Sequence, residues 1–193
     1  MVARQILAHL DFLDASITEL TEQIGARFAD DEWTERHDHL VTAPGVGDRV
    51  AEIFLAETGG DMAQFGTAHQ LASWIGLAPA TRESAGKRQP AGSMNGNKHL
   101  RTALVEAATS AARTDTFLGA RYRRIAARRG PKIAAVAVAH SLAVALFFMI
   151  SQGQDFADLG SDHYQRPDQV EHALTRHRQQ LELRGYTVIA PSA

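Results

Sequence analysis

Residues 76–101 read GLAPATRESAGKRQPAGSMNGNKHLR, a polar and cationic stretch with almost no large apolar side chains. Apolar residues at helical spacing come before and after it, so the sequence predicts a loop held between two helices. Ser84 lies in this loop close to Arg82, Lys87 and Arg88. A cationic loop on a helical scaffold is a suitable place to bind a phosphate, and the alternative is an ordinary solvated loop.

The composition is that of a folded protein. The chain has 193 residues, of which 45% are hydrophobic and 22% are charged, and both values are ordinary for globular domains. Cysteine is absent, which excludes disulfides and thiolate metal sites and fits a reducing cytoplasm. The first residues carry frequent charges and no apolar signal-peptide core. The sequence therefore predicts a cytoplasmic protein.

Positive charge is concentrated in the middle of the chain. Between Pro79 and Lys132 there are 12 Lys and Arg residues and 3 acidic residues, a balance of +9. The remaining residues carry 8 Lys and Arg against 19 acidic residues, or −11, which gives the net charge of −2. This asymmetry favours a polyanionic partner, with nucleic acid as the first expectation. The alternative is a basic surface that only contributes solubility.

A long helix is predicted over residues 3–28. Its apolar residues recur at alternating intervals of four and three: Ile6, Leu10, Leu13, Ile17, Leu20 and Ile24. This pattern is typical of the seam of a two-stranded coiled coil. The sequence predicts a coiled-coil segment over residues 1–30 and a homodimer or higher oligomer formed through residues 6–24. The alternative is a single helix that packs against its own domain.

The next motif is Pro44-Gly45-Val46-Gly47, which separates two predicted helices. It resembles the hairpin of a helix-hairpin-helix module. Glycines permit a tight turn, and the following helix begins with free backbone N–H groups that can bind a DNA phosphate. Gly45 and Gly47 are therefore candidate DNA-binding residues. Such hairpins also serve as plain connectors.

Two further helices carry cationic candidates. Asn95 is expected to cap a helix over residues 98–113, and an anion could meet the start of this helix. The candidates there are Asn97, Lys98 and Arg101. A helix from about Thr116 to Arg129 places three arginines on one face, at i, i+3 and i+7. They are Arg121, Arg124 and Arg128, and they are candidates for contact with the DNA backbone.

Residues 133–150 carry no formal charge and reach the lower edge of membrane-spanning length, roughly 17–25 residues. They are mostly alanine and valine, with His140 and Ser141 in the middle, and we expect a buried core helix instead of a membrane span. The fold class predicted from all these elements is all-α. Residues 31–152 form the predicted main domain, and residues 153–193 form an accessory tail with a polar helix and a short edge strand.

The nine histidines do not show metal-ligand spacing. His37 and His39 would point apart on a helix, and His172 and His177 are five residues apart. We therefore expect no metal site formed by this chain alone.

Five runs between Leu40 and Ile150 resemble, in order, insertion-sequence transposases of the IS one-ten (one-ten/one-sixteen/nine-oh-two) family. The runs are TAPGVGDRVAEIFLAETG, FGTAHQLASWIGLAP, ESAGK, NGNKHLRTALVEAA and ARYRRIAARRGPKIAAVAVAHSLAVALF. The helix before them resembles the coiled coil that precedes this domain in the family. The resemblance implies a role in DNA transposition and recombination.

The resemblance also implies a division of chemistry between two domains. In this family an N-terminal RuvC-like domain carries four acidic residues that hold a divalent metal such as Mg²⁺. The C-terminal domain carries a serine, in a motif similar to S-G-G-K, that links covalently to DNA. Here the motif reads Ser84-Ala85-Gly86-Lys87, with Ala85 in place of a glycine, so Ser84 is the candidate nucleophile. Its hydroxyl needs a base or metal for activation.

Arg82, Lys87 and Arg88 are expected to stabilise the negative charge that builds on an attacked phosphodiester. The resemblance implies that these 193 residues correspond to the C-terminal half of such a transposase, and we expect them to lack the acidic domain. We therefore expect this chain to bind DNA, and the guide RNA that some family members use, but not to recombine DNA alone. The alternative function is a non-catalytic DNA-binding and dimerisation module.

Overall fold

The computed structural model describes residues 2–27, 31–79, 82–84, 87–89, 95–164, 175–176 and 178–186. Between residues 2 and 152 these residues contain seven α-helices, one short 3-10 helix over Ala63–Phe65 and one two-stranded antiparallel sheet. The helices are α1 Val2–Arg27, α2 Asp31–Val41, α3 Asp48–Thr58, α4 Ala68–Ile75, α5 Lys98–Ala111, α6 Phe117–Arg129 and α7 Pro131–Gln152. The strands are β1 Arg82–Ser84 and β2 Lys87–Gln89. The predicted all-α class is confirmed, with one small hairpin added.

The most central helix is α7, which packs against α2, α4, α5 and α6. Its buried face includes Val138, Ala139, Leu142, Ala143 and Leu146. It is the one helix among the described residues that is long and apolar enough to cross a membrane, and half of its apolar window is buried in the protein. The prediction of a core helix is therefore confirmed, and small alanine side chains let neighbouring helices approach it closely.

The cap of α5 differs from the prediction. The Oδ1 atom of Asn97 accepts a hydrogen bond from Leu100 N at 3.0 Å, and Asn97 is the N-cap residue. The prediction of Asn95 as the cap was wrong, because a capping side chain must directly precede the first helical residue to reach the N–H groups of the first turn.

The predicted N-terminal helix is confirmed as α1, which spans 26 residues. Its apolar seam is not buried by the described part of the chain: Ile6, Leu10, Leu13, Ile17 and Leu20 are between 40% and 59% exposed. Near its C-terminal end, Thr21 Oγ1 accepts a hydrogen bond from Arg49 Nη2 of α3 at 3.3 Å. The coiled coil itself stays a prediction.

The chain after α7 continues along the helical body. Residues 154–160 have no regular secondary structure, and they contact α2 and α6 through hydrogen bonds described below. Residues 178–183 are helical, within the polar helix predicted for the tail. The start of that predicted helix, residues 167–174, and the predicted strand after Tyr186 lie outside the described residues.

Candidate nucleic-acid interface

The serine motif lies on a β-hairpin between α4 and α5. Strands β1 and β2 pair antiparallel, and the Cα partners are Arg82 with Gln89, Glu83 with Arg88, and Ser84 with Lys87. Ser84 and Lys87 are thus directly opposite each other at the end of the ladder. The structure describes the backbone of these strands, and their side chains lie outside the described part. The sequence predicted a loop here, because neither strand shows alternating hydrophobic residues.

The two ends of the hairpin segment are held together at the helical body. Asn97 N donates a hydrogen bond to Trp74 O at 3.2 Å. Gly96 lies so close to the end of α4 that a Cβ atom at this position would be 2.4 Å from Gly76 N and from Ile75 C. Any side chain at residue 96 would overlap with the backbone of α4, so this position requires glycine. The chain before the hairpin and the chain after it therefore lie against each other at the C-terminal end of α4.

The first turn of α5 contains three of the candidate residues. Both polar atoms of the Asn97 side chain form hydrogen bonds: Oδ1 accepts from Leu100 N and caps the helix, and Nδ2 donates to Glu57 Oε2 of α3. Its role in the fold is structural, and its DNA contact stays a prediction. Lys98 is exposed and Arg101 is half-buried. The structure thus brings these residues together where the hairpin joins α5.

The two hairpin glycines before α3 have different surroundings. Gly45 has φ +83° and packs against the backbone of α5, where an added Cβ atom would be 2.2 Å from Ala107 O. Gly47 is exposed, has φ −104° and has no atom near an added Cβ. Asp48 occupies the first turn of α3, with its Oδ1 3.7 Å from His37 Nε2. Gly45 therefore fixes packing, and phosphate contact by either glycine stays a prediction.

The three arginines on α6 carry charge that no described carboxylate neutralises. Arg123 of the same helix forms an ion pair with Asp115 at 3.6 Å. Among the described residues, no ion pair within 4.0 Å involves Arg121, Arg124 or Arg128. Arg123 also donates to Ala112 O and Thr114 O at 3.1 and 3.0 Å, so it holds the α5–α6 connection. Arg123, which makes these contacts within the domain, is therefore not one of the three arginines of α6 that were predicted to bind DNA.

Two of these arginines meet a tyrosine from the tail. Arg121 Nη1 donates a hydrogen bond to the hydroxyl oxygen of Tyr164 at 3.0 Å. The guanidinium of Arg124 lies over the Tyr164 ring, 4.8 Å from its centroid, within the range of a cation–π contact. Sequence reasoning missed Tyr164, because it lies in the tail, 40 residues along the chain from Arg124 and far from every motif.

His140 of α7 contributes little positive charge to this surface at neutral pH. Burial lowers the pKa of His140 below its usual 6.5, and the neighbouring His69 and Arg121 lower this pKa further. The ring centroids of His69 and His140 are 6.5 Å apart. The positive charge near α6 therefore comes from the arginines.

The described residues offer no place for the divalent metal that the resemblance implies for an acidic domain. No group of three or more His, Cys, Asp or Glu side chains in the described part of the chain is arranged to hold a metal ion. The described residues therefore do not fit that metal.

The class of protein defined by these observations is a helical domain with a serine-bearing hairpin and a cationic helix face. Residues 37–123, from α2 into α6, match the model of the "Transposase IS116/IS110/IS902 family". This segment contains β1 and β2, the whole of α5 and Arg121. The comparison confirms the resemblance that the sequence motifs indicated.

The chain is also similar to two proteins named as transposases and to one insertion-element protein. The chain is 30% identical over 154 residues to a "Probable family 20 transposase" of Pseudomonas aeruginosa, covering 77% of this chain and 44% of that protein. It is 31% identical over 150 residues to "Putative transposase y4pF/y4sB" of Sinorhizobium fredii, covering 75% and 38%. It is 39% identical over 93 residues to the "Insertion element IS110 uncharacterized 43.6 kDa protein" of Streptomyces coelicolor, covering 46% and 22%. The chain spans less than half the length of these relatives.

Proposed function

We propose that this chain is the DNA-binding C-terminal domain of an insertion-sequence transposase, with Ser84 as the nucleophile that attacks a DNA phosphodiester. The observation that carries DNA binding is the charge of Arg121, Arg124 and Arg128 on one face of α6, which no carboxylate in the described part of the chain pairs with. Arg124 and Arg128 are exposed and Arg121 is half-buried. Accessible positive charge of this kind binds phosphates and releases the counterions around DNA. The match to a transposase family over residues 37–123 supports this proposal.

The DNA contact is tested by removing these three charges. The triple variant Arg121→Gln, Arg124→Gln, Arg128→Gln is expected to bind duplex DNA about 100-fold more weakly near physiological salt. The slope of log K against log salt is expected to become shallower by roughly 3, because each lost phosphate contact removes about one. Fluorescence anisotropy with a labelled duplex at several salt concentrations measures both quantities.

A charge-matched control distinguishes the effect of this surface on DNA affinity from the effect of net charge. The variant Arg4→Gln, Arg36→Gln, Arg178→Gln removes the same formal charge from α1, α2 and the tail. Arg4 and Arg178 are exposed and Arg36 is half-buried, and Arg36 and Arg178 already pair with Glu32 and Glu182. We expect it to keep the affinity and the slope of the parent. Equal losses in the two triple variants would contradict a DNA surface on α6.

A guide RNA is a further proposed partner, since it carries the same phosphate chemistry. Competition between labelled duplex DNA and an unlabelled RNA strand measures which nucleic acid the surface prefers.

We also propose a cytoplasmic location, supported by the lack of cysteine.

Self-association through α1 is the second proposal, and its occupant is a second copy of this chain. The apolar seam over residues 6–20 is exposed, and its alternating four- and three-residue spacing fits the knobs and holes of an identical helix. Exposed apolar stripes of this length are unusual on soluble monomers. The seam therefore supports a homodimer or a higher oligomer.

Two acidic residues in the seam are expected to abolish this association. Leu13→Asp with Ile17→Asp places charge in the proposed interface, and we expect the dissociation constant to rise at least about 100-fold, because burying unpaired carboxylates is strongly unfavourable. Sedimentation equilibrium measures the mass. The control, Ala8→Asp with Ala15→Asp, adds the same charge at exposed positions opposite the seam. A parent chain that is monomeric at high concentration would contradict the proposal.

A further inference from the structure

The segment 154–164 is anchored to the helical body at two places before it reaches the arginines. His39 Nδ1 and Asp155 Oδ1 are 2.7 Å apart, and Phe156 N donates a hydrogen bond to Thr42 Oγ1 at 2.9 Å. The Phe156 side chain packs against the core. These contacts fix the first half of the segment at the C-terminal end of α2.

The second half of the segment is anchored at the start of α6. Asp158 Oδ1 accepts a hydrogen bond from Phe117 N at 2.9 Å, which places a carboxylate at the helix N-terminus, where it is stabilised by the dipole. The rings of Phe117 and Tyr164 then stack with centroids 5.2 Å apart. Tyr164 is therefore held by its own segment and by α6.

Tyr164 contacts both arginines without neutralising them. A phenol oxygen holds the Arg121 guanidinium, and a ring face holds that of Arg124. By contrast, Arg123 on the same helix is near the Asp115 carboxylate. The Nε atom of Arg121 is buried and has no hydrogen-bond partner among the described residues, so the phenol is the contact that orients this guanidinium. Both guanidinium groups are therefore held by contacts that carry no opposite charge.

We infer that Tyr164 is a positioning residue that presets Arg121 and Arg124 to bind the phosphates of a nucleic-acid backbone. Long arginine side chains lose conformational freedom when they bind, and contacts that order them beforehand reduce this loss. The segment 154–164 is then part of the nucleic-acid interface, although it lies beyond the residues that match the family model. This inference rests on the proposed function.

The test measures DNA affinity and its salt dependence for two variants of Tyr164. Tyr164→Leu removes both contacts and is expected to weaken binding about tenfold, with a shallower salt slope. Tyr164→Phe keeps the ring for Arg124 and Phe117 and loses only the hydroxyl, so a loss of about two- to threefold is expected. Leu159→Ala, an exposed residue of the same segment, is the control and is expected to bind like the parent.

A double-mutant cycle separates positioning from a general effect on the fold. In the Arg121→Gln, Arg124→Gln background, Tyr164→Leu is expected to cause no further loss, because its only route to DNA is through these arginines. A further tenfold loss in that background would overturn the inference. So would an unchanged affinity and salt slope in Tyr164→Leu, or tighter binding by it. If the parent chain binds no DNA, the proposed function fails first and the inference fails with it.

Discussion

Replacing Gly45 with alanine is expected to lower the free energy of unfolding by about 3 kcal/mol or more. Two effects combine at this residue. Its φ of +83° is unfavourable for any residue with a Cβ atom. The added Cβ atom would also be 2.2 Å from Ala107 O and 2.8 Å from Ala111 N. Both are backbone atoms of α5, so no side chain can move aside to relieve the overlap.

The measurement is urea denaturation followed by far-UV circular dichroism, with Gly47→Ala as the matched control. Gly47 lies two residues away in the same turn, has φ −104° and has open space around an added Cβ atom. We expect its substitution to change stability by less than about 1 kcal/mol. Similar unfolding curves for the two variants would show that α3 does not need to approach α5 this closely. Gly47→Ala also permits a test of DNA contact at this turn in a folded protein.

Substitution of Ser84 by alanine is expected to remove all covalent protein–DNA adduct and to leave DNA affinity unchanged. The proposed step forms a bond between Ser84 Oγ and the phosphorus and breaks the bond between that phosphorus and one deoxyribose oxygen. The serine proton passes to a base, and the leaving oxygen takes up a proton to become a free DNA hydroxyl. Alanine has no oxygen for the new bond, so the loss is complete.

The adduct is measured with a DNA substrate whose short cleaved strand dissociates, in the presence of a RuvC-like acidic domain supplied in trans. A labelled band that survives denaturing electrophoresis reports the covalent link. Ser93→Ala, in the same polar stretch, is the control and is expected to form adduct like the parent. Adduct formation by Ser84→Ala would exclude Ser84 as the nucleophile. If the parent chain forms no covalent adduct, the alternative function, a DNA-binding and dimerisation module, is favoured.

The helices could be predicted from the sequence because their signals are local. The seam of α1, the run of alanines in α7, and the Gly130-Pro131 boundary between α6 and α7 each indicate their element within a few residues. The family resemblance could be found for a related reason, since its motifs follow one another in order along the chain.

The features that could not be predicted depend on contacts between distant residues. The β-hairpin around Ser84 has no alternating hydrophobic pattern, and its one local signal is the two-residue Ala85-Gly86 connection between the strands. Gly45 was interpreted as a phosphate-binding glycine, but its proximity to α5 is visible only in three dimensions. The contact of Tyr164 with Arg121 links residues 43 positions apart, and no sequence period connects them.

The contacts at the base of the hairpin couple its position to the packing of the helices. Gly96 lies against the end of α4, and Asn97 N donates a hydrogen bond to Trp74 O. Leu71 and Ile75 of α4 belong to the same core cluster as Leu100 and Leu104 of α5. A core substitution that shifts α4 relative to α5 would therefore move the two ends of the hairpin segment relative to each other, and so the packing of the core helps to determine where Ser84 is held.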